Sequence, residues 1–225
     1  MGRTLKAAIL AAGLVAAGTI VTFIVAPAAN AATGPSASAL LNKVKTCSVV
    51  SKGKYATDDG ESSTVNICKS GSAFFWKADM DIDCDGVRTS KCNEDTDPWY
   101  QNQTSFETSK GKPFQADKTH YLVIPLPSSR FDYAANGIKP GSVAAVIYNN
   151  KVVYAVFADE GPNNIIGEAS YATAKALGIN PDPENGGTDS GVTYIVFPGK
   201  VPSPVESNSA IDAKGIAAAN AFVNG

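Results

Sequence analysis

The sequence predicts a single domain, mainly β with a few helices, and three observations carry that reading. Short apolar runs recur through the second half of the chain, three of them closed by Pro125, Asn149-Asn150 and Pro198-Gly199. Two of these runs are separated only by Asn149-Asn150, a turn signal that makes them a hairpin. No internal repeat or linker divides the 225 residues, and a content of 44% hydrophobic and 18% charged residues is that of a globular protein with a sizeable core, which excludes wholesale disorder.

At the start of the chain, Arg3 and Lys6 precede an alanine-rich apolar run from Ala7 to Ala28 that ends in Ala29-Asn30-Ala31. A charged start, an apolar middle and small residues at the end describe a secretory signal peptide over residues 1–31, cleaved after Ala31. An uncleaved membrane anchor is the alternative, because the run is longer than a usual signal core; Gly13, Gly18, Thr19 and Thr22 dilute it. The expectation is a secreted, extracellular protein with no stable membrane association after cleavage. Losing Arg3 and Lys6 leaves 17 basic and 21 acidic residues, a net charge of −4. With nothing basic clustered, nucleic acid is a poor partner and a cationic one is attracted.

Residues 32–37 read as a short leader, and Ala39 to Val44 as the beginning of a helix. Four cysteines follow in the exported chain, Cys47, Cys68, Cys84 and Cys92, which implies two disulfides with three possible pairings. Cys47–Cys68 with Cys84–Cys92 is favoured, because each pair is close in sequence and would staple the half where apolar periodicity is weakest. Zinc is poorly served: there is no Cys-x-x-Cys, and His120 is the only histidine. Between Tyr55 and Asp97 the chain is polar and acidic apart from the strand-like Ala73-Phe74-Phe75-Trp76. Stronger strand signals come at Tyr121–Ile124, stopped by Pro125, at Ser142–Tyr148, at Lys151–Ala158 and at Val192–Phe197, stopped by Pro198-Gly199. Helices are expected over Ala169–Leu177, closed by Gly178, and over roughly Ser209–Val223.

Two acids stand at element boundaries in FADEGPNNIIGEAS, Phe157 to Ser170: Asp159 follows a strand and Glu168 precedes a helix. Such edges project polar groups into a cleft without burying charge in the core. The ordinary alternative is that Glu168 favours its helix N-terminus and Asp159 caps a turn. Asp79, Asp81, Asp83 and Asp85 alternate, which within a strand places all four on one face, where like charges call for something cationic. Asp81-x-Asp83-x-Asp85-Gly86 also matches the first six positions of a calcium loop, but Cys92 stands where the bidentate Glu belongs, so no metal is assigned. An ordinary solvated acidic loop is the third reading of this run. A serine triad would need His120, and no Gly-x-Ser-x-Gly elbow exists.

These pieces together resemble glycoside hydrolase family 75, the secreted fungal and actinobacterial chitosanases. The resemblance runs from about Ala73 to Phe197 and rests on ADMDIDCDG at Ala78–Gly86, the Tyr121–Pro125 strand, FADEGPNNIIGEAS, and Ala-Leu-Gly-Ile at Ala176–Ile179. It implies that Asp159 and Glu168 are the catalytic carboxylates, that chitosan is the polysaccharide substrate, and that its β-1,4 bonds between glucosamine units are cut with inversion. Hydrolysis of a glycosidic bond needs one protonated carboxyl and one ionised one, and no cofactor. If Glu168 falls in the first turn of the helix, the helix dipole favours its ionised form, which makes Glu168 the base and Asp159 the acid.

On this reading Asp79, Asp81, Asp83 and Asp85 bind the protonated amines. Among the aromatic residues, Trp99 and Tyr100 beside Pro98 are better placed than Trp76 or Phe106 to stack on sugar rings. A weaker similarity, through Asp159, Gly161, Ile165 and Gly167, is to double-psi β-barrel proteins that act on polysaccharides, and it implies a six-stranded barrel of that kind. The expected organisation is a signal peptide at 1–31, a leader and disulfide-stapled segment at 32–72, and a catalytic region at 73–225 that forms one domain with the preceding segment, in a monomer. Two other readings remain: a non-catalytic carbohydrate-binding or wall-loosening module, and a peptidoglycan-lytic enzyme on the same barrel.

Overall fold

Six strands close into a barrel in the computed structural model, which describes residues 33–225. The expected signal peptide lies outside the described residues. In chain order the elements are α1 (Ala37–Lys43), β1 (Ser48–Val49), β2 (Cys68–Ser70), β3 (Ala73–Asp83), β4 (Tyr121–Pro125), β5 (Val143–Tyr148), β6 (Lys151–Gly161), β7 (Glu168–Ser170), α2 (Tyr171–Leu177), β8 (Thr188–Val196) and α3 (Asn208–Asn224). Around the barrel the order is β3-β7-β4-β6-β5-β8, and β8 pairs back onto β3 to close the ring. The number of strands and their closure agree with the barrel that the sequence resemblance implies, and the protein is mainly β with three helices.

Alternation builds the wall. Along β3, Phe74, Trp76, Ala78, Met80 and Ile82 enter one apolar cluster, while Ala73 and Phe75 enter another. Successive side chains on a strand point to opposite faces, so both faces of the barrel wall are packed. The second cluster is covered by Leu40 of α1 and by Ile211, Ala219 and Phe222 of α3. Inside the first, the Trp76 and Tyr194 rings stack at 5.3 Å. Among the described residues no helix is long and apolar enough to cross a membrane.

The β5–β6 hairpin turns at Asn149 and Asn150, whose φ angles of 45° and 63° are the positive values that a two-residue hairpin turn requires. Gly178 ends α2 at a φ of 83°, the left-handed cap expected of it. Both favoured disulfides are present, Cys47–Cys68 and Cys84–Cys92. The first ties the start of β1 to β2, and the second closes the loop that leaves β3.

Two expectations are corrected. The strand expected at Ala73–Trp76 runs on to Asp83, because pairing with β8 and then β7 carries it through the acidic residues. The helix expected from Ala169 begins only at Tyr171, so Glu168 is not in its first turn. Glu168–Ser170 is instead strand β7, parallel to the end of β3, and Ser170 Oγ accepts from Thr173 N at 3.2 Å to cap the helix behind it.

Candidate active site

Strands β3, β6 and β7 converge on an open cleft of about 710 Å3. Its wall contains nine acidic residues, six Asp and three Glu, and no Lys, Arg or His. Asp159 and Glu168 both line it, as do Asp81, Asp83, Asp85 and Trp99.

Asp159 reaches the cleft from near the end of β6. Leu122 pairs with Phe157 but Val123 pairs with Asp159, so Ala158 is an extra residue in the β4–β6 register. Such a bulge re-aims the side chain that follows it. The Asp159 side chain is held asymmetrically: Oδ1 accepts from Ser105 N at 2.8 Å, Ser105 Oγ at 2.6 Å and Glu160 N at 2.8 Å, while Oδ2 is buried without a partner. Burial raises its pKa, and those three donors pull it back towards the ionised form.

Glu168 opens β7, in register with Asp81. Gly161 makes room for it: a Cβ there would lie 3.2 Å from Glu168 Oε2 and equally close to Val123 Cγ1. No donor is placed on the Glu168 carboxylate. Burial first, then the charges of Asp81, Asp159 and Asp85, push its pKa up to about 8. The helix-dipole argument for Glu168 as the ionised partner therefore has no structural basis. Of the two carboxyls, Glu168 is the one whose surroundings hold a proton at neutral pH, and Asp159 the one supplied with donors.

The four alternating aspartates do not form one continuous face of charge. Asp79 and Asp81 gather with Asp58, and Asp83 and Asp85 gather with Asp159; within each trio one carboxylate oxygen per residue lies within 4.8 Å of the others. Either trio has the donors for a cation, a metal ion or an ammonium. The residues of the calcium-like pattern do not converge on one point, since Asp81 belongs to one trio and Asp83 and Asp85 to the other. Asp79 is only 3% exposed and does not line the cleft. It lies beneath Gly167, where φ is 125° and a Cβ would collide with Asp79 Oδ1. Burial and the Asp81 charge raise its pKa to about 8. Asp83 is also buried, 2.9 Å from the Tyr121 hydroxyl, and its pKa is well above the ordinary carboxylate range.

Trp99 stands at the cleft with 86% of its surface exposed, and its backbone N–H donates to Asp97 Oδ1 at 2.8 Å. Tyr100 turns away from the cleft and donates its hydroxyl to Gly86 O at 2.8 Å. Trp76 is buried in the core, and the half-buried Phe106 packs against that core. His120 lies apart from the cleft, with its backbone N–H on Asn208 Oδ1 and its ring near enough to Asp212 to feel that charge. Sequence reasoning missed Asp97 and Glu184, which line the cleft, and Ser105, which hydrogen-bonds Asp159; all three sit in loops with no motif around them and are placed only by the fold.

The closed barrel carries a cleft that sets carboxyls with raised pKa values beside one held by three donors, groups of the kind that acid–base chemistry uses. A family model described as fungal chitosanase of glycosyl hydrolase group 75 matches residues 80–224. The chain belongs to that family. It is 33% identical over 133 residues to endo-chitosanase C of Aspergillus oryzae, covering 57% of this chain and 32% of that protein. To endo-chitosanase B of the same organism it is 33% identical over 136 residues, 57% of this chain and 56% of the relative. An endo-chitosanase, also from A. oryzae, is 32% identical over 143 residues, 58% of each chain. The chain thus spans less than two thirds of the length of these relatives.

Proposed function

We propose that the protein is a secreted endo-chitosanase that hydrolyses β-1,4 bonds between glucosamine units. Glu168 is the general acid that protonates the leaving oxygen, and Asp159 is the base that activates water, with inversion at the anomeric carbon as the family resemblance implies. The observation that carries this reading is the charge of the cleft, nine acidic residues against no basic one. A polymer of protonated amines is attracted into such a cleft, whereas the carboxylates of peptidoglycan are repelled. A half-buried Glu168 in the cleft, its pKa raised to about 8, favours an enzyme over a passive binding module. Trp99 offers the apolar face of a sugar a stacking platform, and Asp81 and Asp85 receive the amines, with the buried Asp83 beneath them. Two disulfides and the signal-like residues 1–31 support export.

The test is release of reducing ends from chitosan, chitin and bacterial peptidoglycan, with chitosan viscosity followed in parallel. Expected are hydrolysis of chitosan above the other two polymers and an early fall in viscosity, the sign of internal cuts. Peptidoglycan cleavage without chitosan cleavage would make the protein a wall-lytic enzyme. Binding to chitosan with no new reducing ends would make it a carbohydrate-binding module.

A further inference from the structure

Ser105 is joined to Asp159 by more contacts than a passing loop residue makes. Its N–H and its hydroxyl both donate to Asp159 Oδ1, at 2.8 and 2.6 Å. Glu160 N donates to that same oxygen at 2.8 Å and to Ser105 Oγ at 3.1 Å, which closes a small ring of hydrogen bonds around one carboxylate oxygen. The segment that carries Ser105 is fixed independently of its hydroxyl. Phe106 N donates to Ala158 O at 3.2 Å, and the Phe106 ring packs edge-on against Phe157 at 5.0 Å. Thr104 Oγ1 donates to Phe106 O at 2.7 Å and accepts from Phe114 N at 3.1 Å.

From this geometry we infer that Ser105 is the positioning residue of the catalytic base: it locks the Asp159 carboxylate through Oδ1 and so fixes the orientation in which that carboxylate meets the attacking water. The inference rests on the reading of Asp159 as the base. Every charged group near Asp159 opposes its ionisation: Asp83 from β3, Asp85 from the loop beyond it, Glu168 from β7 and Glu160 from its own strand. The Tyr121 phenol of β4 also faces this group and stays neutral, its pKa raised by burial and by these same acids. Among the described residues no cation lines the cleft opposite Asp159. Neutral donors must therefore hold the ionised form, and Ser105 supplies two of the three on Oδ1.

The test compares Ser105→Ala, Ser105→Thr and Asp159→Asn with the unaltered protein in chitosan hydrolysis across pH, with melting temperatures measured alongside. Loss of one hydrogen bond to an ionised group predicts a kcat for Ser105→Ala lower by about 10- to 100-fold, with KM within about 3-fold. The acid limb of its kcat/KM profile should move up by about one pH unit, because the base becomes easier to protonate. Ser105→Thr keeps the hydroxyl and should hold the limb where it was. An Asp159→Asn protein that is inactive, beside a Ser105→Ala protein with unchanged kcat and acid limb, overturns the role of Ser105 alone. Reduced activity of Ser105→Ala with a lowered melting temperature and an unmoved limb also overturns it, since that is the mark of a structural residue. Full activity of Asp159→Asn instead overturns the reading of Asp159 as base.

Discussion

Asp159→Asn and Glu168→Gln should each lower chitosan hydrolysis by at least roughly 10²-fold while leaving the fold intact, the lower range for loss of a general acid or base. Neither change alters side-chain volume, and neither residue anchors the barrel: Asp159 hangs on Ser105 and Glu160, and Glu168 lies in the space left by Gly161. The two losses should differ in character. Glutamine at 168 cannot protonate the departing oxygen, so the deficit should shrink for substrates whose leaving group needs no proton. Asparagine at 159 cannot take a proton from water, and its deficit should persist whatever the leaving group. Initial rates on chitosan and on a glucosamine conjugate with an acidic phenol leaving group separate the two, with circular dichroism to verify folding. Equal deficits on both substrates for Glu168→Gln would remove it from the role of acid.

Stability should fall as pH rises from about 4 to about 8, opposite to the common pattern of acid denaturation. Asp79, Asp85 and Glu168 have pKa values raised to about 8, 7 and 8, mainly by desolvation. In the unfolded chain such carboxyls lose their protons at about pH 4. Between that pH and the raised values the folded protein binds more protons than the unfolded one, and stability declines with pH wherever this holds. The stabilising contribution is full below the unfolded pKa and is lost as pH climbs through the folded one. Melting temperatures by calorimetry should be lower at pH 8 than at pH 5 by roughly 5–10 °C, in line with a shift of about 2–4 °C per kcal/mol for a domain of this size. Asp79→Asn should narrow that gap, because it removes the charge most deeply buried beneath Gly167. A melting temperature that rises steadily from pH 5 to pH 8 would contradict the protonated state of the cluster.

What the sequence made legible was mostly local. The Asn149-Asn150 turn, the Gly178 cap, the terminal helix and the sequence-local disulfides each depend on residues a few positions apart, and all are found. Strand β3 was read too short because its second half alternates aspartates with Met80 and Ile82, so acid side chains masked a strand whose inward face is apolar. Strand β7 has only three residues and exists through its pairing with β3 and β4, a long-range cause with no local signal. That one element changed the chemistry assigned to Glu168, since a strand residue gains no helix dipole. Asp159 and Glu168 were found through the motif that contains both, and they do share the cleft. Alternation grouped Asp79 with the other aspartates but could not show that it is buried, and proximity to Trp99 said nothing of where Tyr100 turns. Ser105, 54 residues away from Asp159 in sequence, is brought to it only by the fold.

The central claim is that Glu168 and Asp159 act on the same bond from the two sides of a bound chain. A crystal structure of the Glu168→Gln protein with a glucosamine oligomer tests it most directly. Expected are a glycosidic oxygen within hydrogen-bond reach of the residue 168 amide and a water on the Asp159 carboxylate facing the anomeric carbon, with oligomer amines on Asp81 or Asp85. An oligomer bound on another surface, or bound with its anomeric carbon remote from Asp159, would contradict it.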